Sequence, residues 1–201
     1  MKETLNLKHK LGQGITPGAF MEGMETRVMV NSKIPNTREL FHAKYEKFGW
    51  ANKEDEFFFL TYKLRVNLQC LILCTDWCPD VMWNVPVLFR VMETAGIPTE
   101  VLPMESHLET MDLFLTDGGR AQPIAVFLNP NGDVLGRWGA RPAYIQTVMD
   151  RFKAQYPDRQ HPDYQQEINR VYGEIGDLYH DGDKYRDVMI QELKTLFETF
   201  A

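Results

Sequence analysis

Cys78 is the residue whose position promises the most chemistry. It follows Trp77 and precedes Pro79, Asp80 and Val81, directly after an apolar run from Leu68 to Cys74. Proline is favoured at the first position of a helix, so Cys78 is predicted at the N-cap or in the first turn. There the unpaired backbone N–H groups and the positive end of the helix dipole favour a thiolate over a thiol. The matching chemistry is attack of sulfur on a disulfide. Asp80 has two readings. In the first turn its carboxylate satisfies free N–H groups and is stabilised by the dipole; as a functional group it exchanges a proton with Cys78 or with a leaving thiolate. Its charge works against the thiolate, because a neighbouring carboxylate raises a thiol pKa, and Asp76 can add to that effect.

The other two cysteines, Cys70 and Cys74, fall inside the apolar run, where alternation places them on one face as small buried hydrophobes. Four residues of extended chain span about 13 Å, whereas a disulfide needs Cα atoms roughly 4.4 to 6.8 Å apart. Pairing of Cys74 with Cys78 therefore requires a sharp fold-back. With all three cysteines in one short stretch, the chain does not read as a secreted disulfide framework. His9, His42, His107, His161 and His180 are not spaced to complete a zinc site with the cysteines, and no metal or cofactor is expected.

The elements that position Cys78 are legible in the surrounding pattern. The run Leu68 to Cys74 is that of a strand buried on both faces. A helix follows from Pro79 to about Thr94, stopped by Ala95-Gly96-Ile97-Pro98, and Thr99 to Met104 reads as a parallel strand. Ser106 to Leu115 reads as a helix ended by Asp117-Gly118-Gly119. Ile124 to Leu128 is a strand, Asn129-Pro130-Asn131-Gly132 a hairpin turn, and Asp133 to Trp138 its return. Pro142 opens a helix to about Ala154. Upstream, Thr16-Pro17 starts a helix with Phe20, Met24 and Val28 on one face. Asn36 and Glu39 cap a second bearing Leu40, Phe41, Lys44, Tyr45 and Phe48, and a third covers Glu54 to Leu64. Beyond Pro157, helices from Pro162 to His180 and Lys184 to Phe200 flank the Asp181-Gly182-Asp183 break. The expected organisation is a helical extension over residues 1–65, an α/β domain over 66–155 and a helical hairpin over 156–201 packed on the core.

The order β-α-β-α-β-β-α, with the residues that punctuate it, resembles the thioredoxin superfamily over roughly 85 of the 201 positions. Trp77-Cys78 is similar to the pair that opens the family's active turn. Pro86 falls where thioredoxins kink the following helix, Pro123 looks like the cis-proline that faces the reactive sulfur, and Gly139 matches the glycine after the last strand. The departures are as informative. Val81 stands where the second cysteine would be, so a mixed disulfide at Cys78 has no adjacent thiol to release it. Ile72 replaces the buried acid, and Gln122 precedes the presumed cis-proline in place of threonine. The pattern most resembles a bacterial thioredoxin-like subfamily with a Trp-Cys-X-Asp turn. Thr75-Asp76-Trp77-Cys78 also fits the Thr-X-X-Cys fragment of peroxiredoxins, which would need a nearby arginine such as Arg137 or Arg141.

What the resemblance implies is a thioredoxin-like α/β fold and a single-cysteine thiol-disulfide oxidoreductase. Cys78 and Asp80 would be its catalytic pair, Trp77, Pro79, Gln122 and Pro123 would hold the substrate, and an external low-molecular-weight thiol would release the enzyme. Partners would be protein or small thiol and disulfide substrates. The alternative is a non-catalytic binding module using the Trp77/Pro123 cleft. Composition narrows the classes further: 44% apolar and 25% charged residues suit a globular chain, and the formal charge of −6 argues against nucleic acid or an acidic membrane surface. Met1 to Lys10 is polar, no apolar run reaches membrane-spanning length, and the cytoplasm is the expected location.

Overall fold

The computed structural model describes residues 4–64 and 66–200. Its centre is a four-stranded sheet built from β1 (Gln69–Cys74), β2 (Thr99–Pro103), β3 (Ile124–Leu128) and β4 (Val134–Gly139), in the order β2-β1-β3-β4. β1 runs parallel to β2 and antiparallel to β3, and β3 is antiparallel to β4. A parallel neighbour needs a crossover, which α4 (Pro79–Ala95) supplies. Alternation along β1 sends Cys70, Ile72 and Cys74 into the larger core and Leu71 and Leu73 into the smaller one on the opposite face.

Helices cover the larger core: α1 (Pro17–Gly23), α2 (Thr37–Glu46), α3 (Lys53–Tyr62), α4, α6 (Ala143–Gln155), α7 (Tyr164–His180) and α8 (Lys184–Glu198). The smaller core is roofed by α5 (Leu108–Met111), by two 3-10 turns, and by the segment before α1. That segment is stitched to the β3–β4 turn through Leu7 N–H to Gly132 O (2.8 Å) and to β2 through Ile15 N–H to Val101 O (2.9 Å). It lies so close to the turn that a Cβ on Gly132 would sit 2.4 Å from Lys8.

Caps fix the entry points. Thr16 accepts from Ala19 N–H and Asn36 from Glu39 N–H, while Asn52 caps α3 by accepting from Asp55 N–H. Gly96, left-handed at φ 63°, closes α4. Two expectations need correction. The helix begun at Thr16 ends at Gly23, and Val28 is 68% exposed; the chain turns extended after Met24, so Val28 leaves the face shared by Phe20 and Met24. The helix expected from Ser106 to Leu115 is a single α-turn between 3-10 turns over Met104–Ser106 and Asp112–Phe114. No side chain caps it, and such a short piece is marginal without packing. Pro86 lies within α4 and is buried. Among the described residues, no helix is long and apolar enough to cross a membrane.

Candidate functional site

Cys78 is the N-cap of α4, with extended backbone at φ −97° and ψ 129°, and its carbonyl accepts from Val81 N–H at 3.1 Å. The sulfur does not cap the helix. It lies 3.7 Å from the carbonyl oxygen of Gln122 and 3.9 Å from Oδ2 of Asp80. Both are acceptors, so the arrangement suits an S–H that donates. Burial pushes the Cys78 thiol up to about 12; the Asp80 charge adds to the rise, while Arg141 opposes it. The thiols of Cys70 and Cys74, sealed in the core, are also raised by loss of solvent. All three cysteines are free.

Asp80 is 4% exposed and is held from two sides. Arg141 grips it with both arms of its guanidinium, Nε to Oδ1 at 2.8 Å and Nη2 to Oδ2 at 2.6 Å. The hydroxyl of Tyr179, on α7, donates to Oδ1 at 3.0 Å and accepts from Asn84 Nδ2 at 2.7 Å. Asn84 also donates to Ala140 O at 3.0 Å, and Arg141 reaches Gln146 Oε1 at 3.0 Å. A buried ion pair with both partners hydrogen-bonded is a rigid unit, and either charge left alone would be costly. Burial works against the Arg141 charge, but the Asp80 carboxylate more than restores it.

Trp77 is 46% exposed, and its indole N–H donates to Glu105 at 2.6 Å. Asp76 is engaged by the extended segment after α1, accepting from Glu25 N–H at 2.8 Å and pairing with Arg27 at 2.8 Å. Gln122 is 5% exposed, its carboxamide oxygen has no hydrogen-bond partner among the described residues, and its peptide to Pro123 is cis. Trp77, Cys78, Pro79, Asp80 and Gln122 line one cleft of about 780 Å³. Pro123, expected to hold substrate beside Trp77, is buried and is not among the residues that line this cleft. The opposite wall is Tyr164, Ile168, Tyr172 and Ile175 of α7, with Met149 and Lys153 of α6. Four cations line the cleft; Arg141 is paired with Asp80, Arg120 with Asp112 at 2.6 Å and Lys153 with Asp117 at 3.2 Å, while Arg159 has no ion pair among the described residues.

The sequence pattern located Cys78, Asp80, Trp77, Pro79 and Gln122, and the fold brings them together. It did not reveal Tyr179, Asn84 or the α7 wall, and it raised Arg141 only in connection with a peroxide site. Tyr179 is 99 positions from Asp80, and no local pattern announces such a contact. As for the peroxide fragment, Arg137 donates to the Phe114 carbonyl and lies over that ring, and Arg141 is engaged with Asp80. A larger hollow of about 930 Å³ lies between β4 and α8. Its carboxylates are already satisfied, Asp55 by Asn52, Gln191 and Lys194 and Glu192 by Trp138 and the Ala143 N–H. Among the described residues, no cluster of metal-ligating side chains is present.

A family model described as thioredoxin matches residues 23–153. Among solved structures, an HIV epitope-scaffold aligns with 98% of this chain and 100% of its own, at 16% identity and a TM-score of 0.56. A protein of unknown function from Pseudomonas aeruginosa aligns over 94% of both chains, at 16% identity and a TM-score of 0.52. Both are likenesses of fold. No curated protein matches the chain.

Proposed function

The chain belongs to the thioredoxin family, and from that premise we propose that it is a binding module of the thioredoxin fold, holding a peptide or small ligand in the Trp77/Gln122 cleft with Cys78 as a neutral thiol. The observation that carries this reading is the sulfur's setting, between the Gln122 carbonyl at 3.7 Å and the Asp80 carboxylate at 3.9 Å. A dithiol reductase needs a resolving sulfur and a readily ionised attacking one; here Val81 occupies the resolving position and the thiol is pushed up to about 12 by burial and by Asp80. The cleft offers the aromatic faces of Trp77, Tyr164 and Tyr172; of its cations, Arg141 is paired with Asp80, Arg120 with Asp112 and Lys153 with Asp117, which leaves Arg159 without an ion pair among the described residues. That lining suits an apolar ligand carrying a single carboxylate.

One observation favours the second reading, a monothiol oxidoreductase: Cys78 is only partly buried and stands at the N-cap position of a 17-residue helix, whose N-terminus favours negative sulfur. In that reading the Cys78 thiolate attacks a substrate disulfide, a mixed disulfide forms as one thiolate leaves, and an external small thiol attacks it to regenerate Cys78. Iodoacetamide alkylation of Cys78 against pH separates the two. Binding without catalysis predicts slow alkylation at neutral pH, no mixed disulfide with oxidised small thiols and no insulin reduction. An alkylation midpoint below the free-thiol value of about 8.5, with a mixed disulfide found by mass spectrometry, would replace it with the monothiol reading.

A further inference from the structure

α3 is apolar on two faces. Phe59 and Tyr62 are buried, yet Phe57 is 64% exposed, Leu60 50% and, in the turn that follows the helix, Leu64 80%. The spacing of three and four makes these one stripe, whereas scattered apolar residues on a surface are ordinary. Glu56 and Lys63 lie along one side of the stripe, each one residue before an apolar member of it, Phe57 and Leu64; both are exposed and neither is in an ion pair among the described residues, and the Lys63 stem passes over Gly96 at the end of α4. Acidic residues in a first turn also favour the helix dipole, but that does not account for the apolar stripe beside them.

We propose that a second copy of this chain covers this face, two α3 helices packing antiparallel about a two-fold axis near Leu60. The order of charges argues for self-association. Glu56 and Lys63 lie seven residues apart, about two helical turns or 10.5 Å. Antiparallel packing sets Glu56 of one copy against Lys63 of the other, twice, with Leu60 at the centre and Phe57 and Leu64 alongside the two charge pairs; a parallel pair would set like charges together. An interface in which the same patch meets itself is the commonest kind in homo-oligomers. Because it is built on one short helix, its area falls in the small, transient class, and the dimer is weak. The stripe shares no residue with the cleft at Cys78, so the pairing leaves that cleft open and stands apart from the function proposed for it.

Sedimentation equilibrium on the full chain from about 1 µM to about 1 mM tests this. Expected is a reversible monomer–dimer equilibrium that L60E weakens at least about hundredfold, with unchanged near-UV circular dichroism because Leu60 is half exposed. E56K and K63E should each weaken association alone. An equimolar mixture of these two variants should restore it, because each unlike pair is re-formed between the copies. A chain that stays monomeric throughout the range, a dimer indifferent to L60E, or a mixture no better than either variant alone would overturn the proposal.

Discussion

The Cys78 sulfur and the Asp80 carboxylate compete for one patch of low-dielectric space, and Arg141 has been given to the carboxylate. Asp80→Asn keeps the shape and removes the competing charge, leaving Arg141 to favour a thiolate. The Cys78 pKa should then fall by at least about one unit, which is about tenfold more thiolate at neutral pH, read as faster iodoacetamide alkylation. The same change strands a buried guanidinium and should destabilise the fold by about 3–5 kcal/mol, seen in urea unfolding; an alkylation profile identical to wild type would show that Asp80 does not control the sulfur. Tyr179→Phe should be milder, about 1–2 kcal/mol, since it removes one donor to Asp80 and one acceptor for Asn84. The pH dependence has a definite sign. With the folded Cys78 thiol up at about 12 and the unfolded one near 8.5, its contribution to stability is complete below about pH 8.5 and is lost as the pH climbs from there through the folded value. Cys78→Ser should flatten that alkaline loss. Cys78 and Asp80 could be singled out in the sequence because a thiol and a carboxylate at a helix start have local consequences. Their controllers could not, because Arg141 and Tyr179 arrive from distant elements.

At the scale of elements, strongly periodic or punctuated stretches were legible. The apolar run became β1, Gly96 closed α4, and Asn129 to Gly132 turned β3 into β4. What failed was continuation beyond a break. Val28 keeps helical spacing with Phe20 and Met24, but spacing does not carry a helix past Gly23. The stretch after Ser106 has helical composition without a cap, and it settles into one turn. Gly139 shows how an element's end can depend on one missing side chain. It sits at φ 134°, and a Cβ there would lie 2.1 Å from the carbonyl oxygen of Pro123. Neither strand can yield, because Ile124 pairs with Gly139 in the sheet. Gly139→Ala should therefore cost about 3 kcal/mol or more and disturb the Gln122 loop beside the sulfur. Thermal unfolding would read the first effect and Cys78 alkylation the second; an unchanged melting temperature would mean that the strand end is looser than its geometry implies.

For the whole molecule, the question is whether residues 23–153, the part matched by the family model, make a self-sufficient fold. Its core suggests otherwise. α7 and α8 place Ile168, Ile175, Tyr179, Tyr185, Met189, Ile190, Leu193 and Phe197 in the same buried cluster as β1 and α4. Phe197 packs edge-on against Phe59 and Phe127, and its carbonyl accepts from the Tyr62 hydroxyl at 2.8 Å, so one residue of the last helix joins α3 to the sheet. Tyr179 lies flat on Trp83, rings 5.5 Å apart and tilted by 6°, while its hydroxyl reaches Asp80. Burial of each large apolar side chain is worth roughly 1.5–3 kcal/mol, so losing these eight removes about 12–24 kcal/mol, as much as or more than the about 5–15 kcal/mol by which an ordinary domain is stable. A chain ending at Gln155 should consequently fail to unfold cooperatively and should give a poorly dispersed amide spectrum, despite keeping the whole sheet, Cys78 and Asp80. If it instead folded, with Cys78 alkylated more readily for want of the α7 wall, the hairpin would be a cover over an independent thioredoxin core and not part of that core.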